Sequence, residues 1–369
     1  MKHGLVKGDF AQSPFIVIWE MTRSCALKCV HCRAEAIDRR DPRELSTDDA
    51  VRLLEEIKRF GDPSPLVVLT GGDPMRRPDA AYIVRVGTRM GLRMTMTPSG
   101  TNEMTQEKVQ ELKAAGLARL AVSLDGATPE SHDAFRKVPG SFEWTLNIIE
   151  WARTAGLHVQ INTTLSKVNV DEFDVMAELV DKLGIVLWSV FFLVPIGRAD
   201  AGAALSGAEC ERIFRKMAAL SRRVAFGIKS TEAPPYRRVL MQTAETAVPG
   251  ARRAGPDVIG RAPAGVNDGN GFVFVSHIGE IFPSGFLPLE AGNVRTDSLV
   301  EVYRNSPLFR RLRTPDALKG KCGVCDYRTL CGGSRAKAFA VTGDEMASDP
   351  FCVYVPQGYA VGAEEKRHW

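Results

Sequence analysis

Residues 15–32 read FIVIWEMTRSCALKCVHC, an apolar run that breaks into a loop carrying Cys25, Cys29 and Cys32. The C-x3-C-x2-C spacing presents three thiols from one short connection directly after a strand. The same strand-then-loop rhythm recurs outward from it. Strands are predicted over residues 15–19, 66–69, 92–96, 119–124, 158–164 and 186–194, with helical periods over 47–60, 78–90, 105–115, 142–155 and 170–183 between them. Ser46 and Asp171 read as capping residues, and Gly91, Gly116, Gly156 and Gly184 as helix stops. Strict alternation of apolar strands with amphipathic helices predicts an α/β fold with a parallel sheet and right-handed crossovers, rolled into a partial (β/α)6 barrel of TIM type. Such barrels place their chemistry at the C-terminal mouth of the strands, where the thiol loop emerges.

Beyond the sixth strand the rhythm changes. An amphipathic helix is expected over 205–221, and residues 241–270, rich in Ala, Gly and Pro, read as a mobile linker or lid. GFVFVSHIGEIFPSGF (271–286) alternates in period two around Ile278-Gly279-Glu280 and predicts a β-hairpin with His277 facing solvent; one more helix is expected over 298–311, and the terminal EEKRHW reads as a solvated tail. The chain therefore divides into a barrel (12–204), a helical bridge and linker (205–270) and a small C-terminal unit (271–356).

Composition bounds the function. The 369 residues carry a net charge of +4, with 44% hydrophobic and 25% charged, which excludes a disordered chain and gives no support to a nucleic-acid-binding surface. The apolar stretch 185–196 is interrupted by Ser189 and Pro195 and falls short of the ~20 residues of a membrane span, so no membrane partner is expected. The N-terminus has no apolar signal core, which predicts a cytoplasmic protein. Seven of the eight cysteines fall into two groups, at 25, 29, 32 and at 322, 325, 331, 352. Such grouping in a chain without an export signal favours metal or cluster ligation over disulfides.

Three thiolates complete neither a zinc site nor a cubane iron–sulfur cluster, and a cluster held by three leaves one iron open to a further ligand. With His31 as the aromatic before Cys32, this segment resembles the motif of the radical S-adenosylmethionine (SAM) superfamily. Thr70-Gly71-Gly72-Asp73-Pro74 is similar to that family's Gly-Gly-Glu-Pro segment, with Asp in place of Glu. The resemblance implies a 4Fe-4S cluster on Cys25, Cys29 and Cys32 as the catalytic centre. It also implies that Gly71, Gly72 and Asp73 meet the methionine amine of SAM, that Ser123, Asp125 and Arg136 face its carboxylate and ribose, and that Asn162, Thr163 and residues 195–198 lie near ribose and adenine. The reduced cluster would cleave SAM to methionine and a 5′-deoxyadenosyl radical, which takes hydrogen from substrate carbon.

The second group is Cys322-x2-Cys325-x5-Cys331 with Cys352 after twenty intervening residues. Four thiolates can close a structural zinc site, and spacing alone leaves that open. The segment, however, resembles the SPASM/twitch domains of radical SAM maturases such as the PQQ maturase, which implies a second, auxiliary 4Fe-4S cluster on Cys322, Cys325, Cys331 and Cys352. Ser284 stands where many of those proteins have Cys, so two clusters in all are expected. A fully ligated auxiliary cluster would accept an electron and favour net oxidation. One substrate class is a tetrapyrrole with propionate side chains, because the segments PSGF and TEAPPYRR are similar to radical SAM enzymes of siroheme-dependent heme b and heme d1 synthesis; Arg237 and Arg238 would pair its carboxylates. The alternative is a ribosomally made precursor peptide, crosslinked or oxidised. Either needs an electron donor such as flavodoxin or ferredoxin. A non-catalytic metal or electron-transfer scaffold is the contrasting class, and the three-plus-four asymmetry of the thiols argues against it. Lone acids Glu20 and Glu232 are candidates for proton transfer, while Cys210, His132 and Trp188 read as packing.

Overall fold

The computed structural model describes residues 9–245 and 265–368. Its first half alternates as expected: β1 (Ile16–Glu20), α1 (Thr47–Lys58), β2 (Leu66–Thr70), α2 (Ala80–Arg89), β3 (Arg93–Met96), α3 (Gln106–Ala114) and β4 (Arg119–Ser123). Two helices then follow, α4 (Pro129–Arg136) and α5 (Ser141–Thr154), before β5 (His158–Leu165), α6 (Phe173–Lys182), β6 (Leu187–Phe192), α7 (Gly207–Leu220), β7 (Gly227–Thr231) and α8 (Pro235–Glu245). After the linker come β8 (Phe272–Val275), β9 (Glu280–Phe282) and β10 (Gly292–Asn293). Helices α9 (Leu299–Asn305), α10 (Pro307–Leu312), α11 (Gly320–Gly323) and α12 (Arg335–Thr342) close the chain.

All ten strands form one sheet in the order β10-β9-β8-β1-β2-β3-β4-β5-β6-β7. Neighbours from β8 to β7 pair in parallel, and only β8–β9 and β9–β10 are antiparallel. The barrel is thus partial, as expected, but longer than six strands. β7 extends one edge, and the hairpin predicted as part of a separate unit extends the other by pairing β8 with β1, Ile16 opposite Phe272.

Strand alternation divides the sheet into two faces. Val17, Trp19, Val67, Leu69, Met94, Leu120, Val122, Val159, Ile161 and Trp188 point outward, all buried against the helices. Ile18, Val68, Thr70, Thr95, Ser123, Asn162, Thr164, Lys229 and Phe274 line a central cavity. A lumen of mixed polar and aromatic residues beneath an apolar outer layer is the arrangement of a barrel built to hold something.

Several local expectations change. Ser46 caps α1 in a reciprocal box with Asp49, whereas Asp171 lies inside a short turn (Val170–Glu172) ahead of α6. The predicted helix 298–311 breaks at Pro307, since proline cannot donate to the preceding turn. Residues 241–245 belong to α8, and most of the predicted linker or lid, 246–264, lies outside the described residues. His277 is buried, its Nδ1 3.1 Å from Glu20 Oε1. The expected solvated tail is tied back: Gly207 N–H donates to His368 C=O at 2.6 Å, and the His368 ring sits 5.3 Å from Phe351.

Candidate active site

β1 delivers the thiol loop to the barrel mouth, and Cys25, Cys29 and Cys32 line the cavity together with His31 and Arg33. Cys25 and Cys29 are buried. Each sulfur has a donor: Ser99 Oγ lies 3.3 Å from Cys25 Sγ and the Leu27 N–H donates to it at 3.3 Å, Arg136 Nη1 donates to Cys29 Sγ at 3.4 Å, and Ala36 N–H donates to Cys32 Sγ at 3.4 Å. Burial pushes the Cys25 thiol up to about 11 and raises that of Cys29, against the donors. His31 packs its ring 4.5 Å from Phe135, as an aromatic wall, and burial holds it neutral. Its Nδ1 and Arg136 Nε are buried without a partner.

The loop is braced from behind. Arg33 bonds Glu20 at 2.8 Å and lies 4.7 Å from the Phe274 ring, so the residue after Cys32 is fastened to both β1 and β8. Arg198 N–H donates to Cys32 C=O at 3.1 Å, which brings the loop after β6 against the same turn. Glu20, a lone candidate acid in the sequence, is thereby consumed in an ion pair with Arg33 and a side-chain contact with His277.

The segment after β2 is joined to the thiol loop through its backbone. Gly72 N–H donates to Thr22 C=O and Asp73 N–H to Ser24 C=O, each at 2.7 Å. A Cβ on Gly71 would lie 2.4 Å from Thr22 O, and one on Gly72 2.5 Å from Ser24 O, so glycine is required here by the neighbouring chain. Gly71 and Gly72 line the cavity. Asp73 does not; it is fully buried and accepts from Met75 N–H at 3.1 Å, Ser99 N–H at 3.3 Å and Thr101 Oγ1 at 3.1 Å, locking the loops after β2 and β3 together.

Ser123, Asn162 and Arg136 reach the cavity wall. Asp125 is fully buried behind it, accepting Thr164 N–H at 2.6 Å and pairing with Arg136 Nη2. Desolvation opposes the Arg136 charge, but Asp125 and Cys29 outweigh it and its pKa is raised. Thr163 also points away from the lumen. Its Oγ1 donates to Leu124 C=O at 2.7 Å and accepts from Trp188 Nε1 at 2.8 Å, because alternation turns Asn162 and Thr164 inward. Sequence reasoning missed the inward partners Gln160, Thr164, Ser99, Arg33 and Lys229. The signal for β5 was present: polar residues at 160, 162 and 164 alternate with apolar 159 and 161.

Cys322, Cys325, Cys331 and Cys352 come together round a second pocket. Backbone N–H groups of Asp349, Tyr327 and Gly333 donate to the sulfurs of Cys322, Cys325 and Cys331 at 3.3, 3.4 and 3.4 Å. Arg335, buried and bonded by Nη1 to the carbonyls of Glu345 and Ala347, turns Nη2 to within 3.9 Å of Cys322 Sγ. A cation and amide donors aimed at three of the four thiols suit a group of net negative charge. Ser284 is not in this ring; its Oγ accepts Phe286 N–H at 3.2 Å beside the large cavity. Cys210 is buried on α7, apart from both groups.

A model of the radical SAM superfamily matches residues 19–180. The chain is 42% identical over 346 residues to the AdoMet-dependent heme synthase of Methanosarcina barkeri (strain Fusaro), covering 93% of this chain and 97% of that protein. It is 30% identical over 377 residues to the mycofactocin maturase MftC of Mycobacterium ulcerans, covering 100% of this chain and 93% of that one. Among solved structures, Streptococcus suis SuiB bound to precursor peptide SuiA has a TM-score of 0.68 at 16% identity, over 93% of this chain and 76% of the other. That last likeness speaks for the fold.

Proposed function

The chain belongs to the radical SAM superfamily, and from that premise we propose that it removes hydrogen and carbon dioxide from a tetrapyrrole propionate to leave a vinyl group. It is an enzyme that works with a 4Fe-4S cluster and S-adenosylmethionine. Cys25, Cys29 and Cys32 would hold the cluster: three thiols face one cavity, each with a donor, and the unpartnered His31 Nδ1 and Arg136 Nε stand in the same wall. When bound, the pair supplies one-electron cleavage of the sulfonium and abstraction of a hydrogen atom from carbon.

The protein's own task is to bind, orient and exclude water. Gly71, Gly72, Ser123, Asn162 and Arg136 would contact SAM from the mouth side. Asp73, Asp125 and Thr163 act from behind the wall as positioning residues, through Ser99, Arg136 and Leu124. The observation that carries the substrate reading is the cavity itself, about 340 Å3, which runs from the three thiols to a wall of Phe191, Phe272, Phe274 and Phe286 with Arg237 at its rim. Aromatic faces suit a flat macrocycle and guanidinium suits its carboxylates. The 42% identity to a heme synthase supports the same choice.

Loss of a hydrogen atom and carbon dioxide from a propionate carboxylate leaves one electron over. We assign its acceptor to an auxiliary 4Fe-4S cluster on Cys322, Cys325, Cys331 and Cys352, while the separate electron that cleaves SAM would come from a flavodoxin- or ferredoxin-type donor in the reducing cytoplasm. In this reading residues 12–204 carry the cysteine loop and the SAM contacts, β7, α8 and β8 complete the cavity, and the acceptor stands on the four thiols of the C-terminal segment. Anaerobic incubation with SAM, dithionite and iron coproporphyrin III is expected to give 5′-deoxyadenosine and vinyl products. 5′-Deoxyadenosine without porphyrin turnover overturns the substrate, and its absence overturns the reaction class. A peptide substrate is the second reading, supported by the 30% identity to a peptide maturase, and modification of a precursor peptide in the same assay would select it.

A further inference from the structure

Arg237 and Arg238 are neighbours in the first turn of α8, about 100° apart round the helix, so they cannot share a surroundings. Arg238 is committed elsewhere. It pairs with Glu211 on α7, donates to Gln242 Oε1 at 2.8 Å, lies 5.1 Å from the Tyr354 ring and lines the four-cysteine pocket. Arg237 turns to the large cavity instead.

There it is held but not neutralised. Nη1 donates to Leu330 C=O at 3.3 Å and Nη2 to Val266 C=O at 2.5 Å. Two of its five N–H donors thus go to neutral carbonyls, and among the described residues no carboxylate pairs with it. Desolvation lowers its pKa, opposed by the Cys331 thiol. Glu232 and Asp268 line the same cavity but are engaged by other groups: Glu232 accepts from Ser334 Oγ at 2.9 Å, and Asp268 Oδ2 accepts the N–H groups of Arg335 and Ala336 at 3.2 Å. A partly buried guanidinium that lines the cavity and gives two of its five donors to carbonyls keeps three for a ligand, a preformed fork for one carboxylate.

We propose that Arg237 is the carboxylate anchor of the cavity and sets specificity for a propionate-bearing ligand, seating one propionate beside Leu330 and Cys331. The assignment rests on the tetrapyrrole reading above and adds to it a direction: the anchored carboxylate stands on the side of the cavity toward the second thiol group. Arg238, despite its identical chemistry, has no part in it.

The test uses the reconstituted full-length protein and the fluorescence anisotropy of metal-free coproporphyrin III and of its methyl ester, which lacks free carboxylates. Wild-type protein is expected to bind the free acid at least roughly tenfold more tightly than the ester. R237Q should lose that preference and R237K should keep part of it. Equal binding of the acid by wild type and R237Q overturns the anchor while leaving the tetrapyrrole reading intact. If R237Q does not fold, R237K together with the ester decides: wild-type affinity for acid and ester alike overturns the proposal. No porphyrin binding by the wild type overturns both.

Discussion

Asp125→Asn is the most informative single change to the barrel, because it removes a charge and almost no volume. Asp125 is 0% exposed and Arg136 9%, so the pair has little water to fall back on. In the variant the amide oxygen can still accept Thr164 N–H, which Asp125 Oδ1 accepts at 2.6 Å. The amide nitrogen, however, would face Arg136 Nη2, donor against donor, and leave a buried guanidinium without its counter-charge. Breaking a buried pair from one side costs about 3–5 kcal/mol. Set against a typical total of about 5–15 kcal/mol, that is a large share of the stability of the fold. Arg136 also donates to Cys29, so its displacement should alter the cysteine loop as well. Unfolding in denaturant, followed by circular dichroism on anaerobically reconstituted protein, should show D125N strongly destabilised and D125N/R136M less so than D125N, since the double variant removes the stranded charge. Stability of D125N within ~0.5 kcal/mol of wild type would refute the ion-pair account. So would a double variant no better than the single one.

Other expectations follow from the same contacts. Gly72→Ala would set a Cβ 2.5 Å from Ser24 O and 2.6 Å from Arg23 O, forcing the loop after β2 away from the thiol loop; electron paramagnetic resonance of the reduced N-terminal cluster should lose its response to added SAM, and an unchanged response would count against the close approach. Replacing Cys322, Cys325, Cys331 and Cys352 together by Ala should leave iron and sulfide near half the wild-type content with the SAM response retained; loss of both signals would show the two groups are not independent sites. Burial and Asp268 raise the Glu232 pKa well above 4.5. Its stabilising contribution is therefore complete below the unfolded pKa and is lost as pH rises through the folded one, so the melting temperature of Glu232→Gln should fall less than that of wild type between about pH 5 and pH 8. Parallel profiles would exclude Glu232 ionisation as the cause. Arg335→Gln removes a buried cation 3.9 Å from Cys322 Sγ and should lower the midpoint potential of the second cluster in a redox titration, while Arg335→Lys should restore most of it.

What the sequence revealed and what it hid divide along the distance over which the cause acts. The thiol loop, the strand–helix alternation and the Gly-Gly turn were legible because each is written in a few consecutive residues. The partner of β1 was not, since β8 reaches it from more than two hundred residues away and its pattern, FVFV, fits either a free hairpin or a barrel edge equally well. His277 followed from that error: a hairpin taken as free places it in water, whereas a hairpin paired to β1 carries it to Glu20. Thr163 shows the reverse case, a mistake that local information alone could have prevented. In a strand where 160, 162 and 164 are polar and 159, 161 and 165 apolar, the hydroxyl at 163 belongs to the outer face whatever its chemistry. The two arginines of α8 are harder. Their neighbourhood in sequence says only that they diverge, and which of them enters the cavity depends on where Pro235 starts the helix and on Glu211 standing ready on α7 to take Arg238. The thiols are fixed by spacing and a resemblance finds them. The cation that would choose among ligands is fixed by the phase of one helix, and only the folded chain sets that phase.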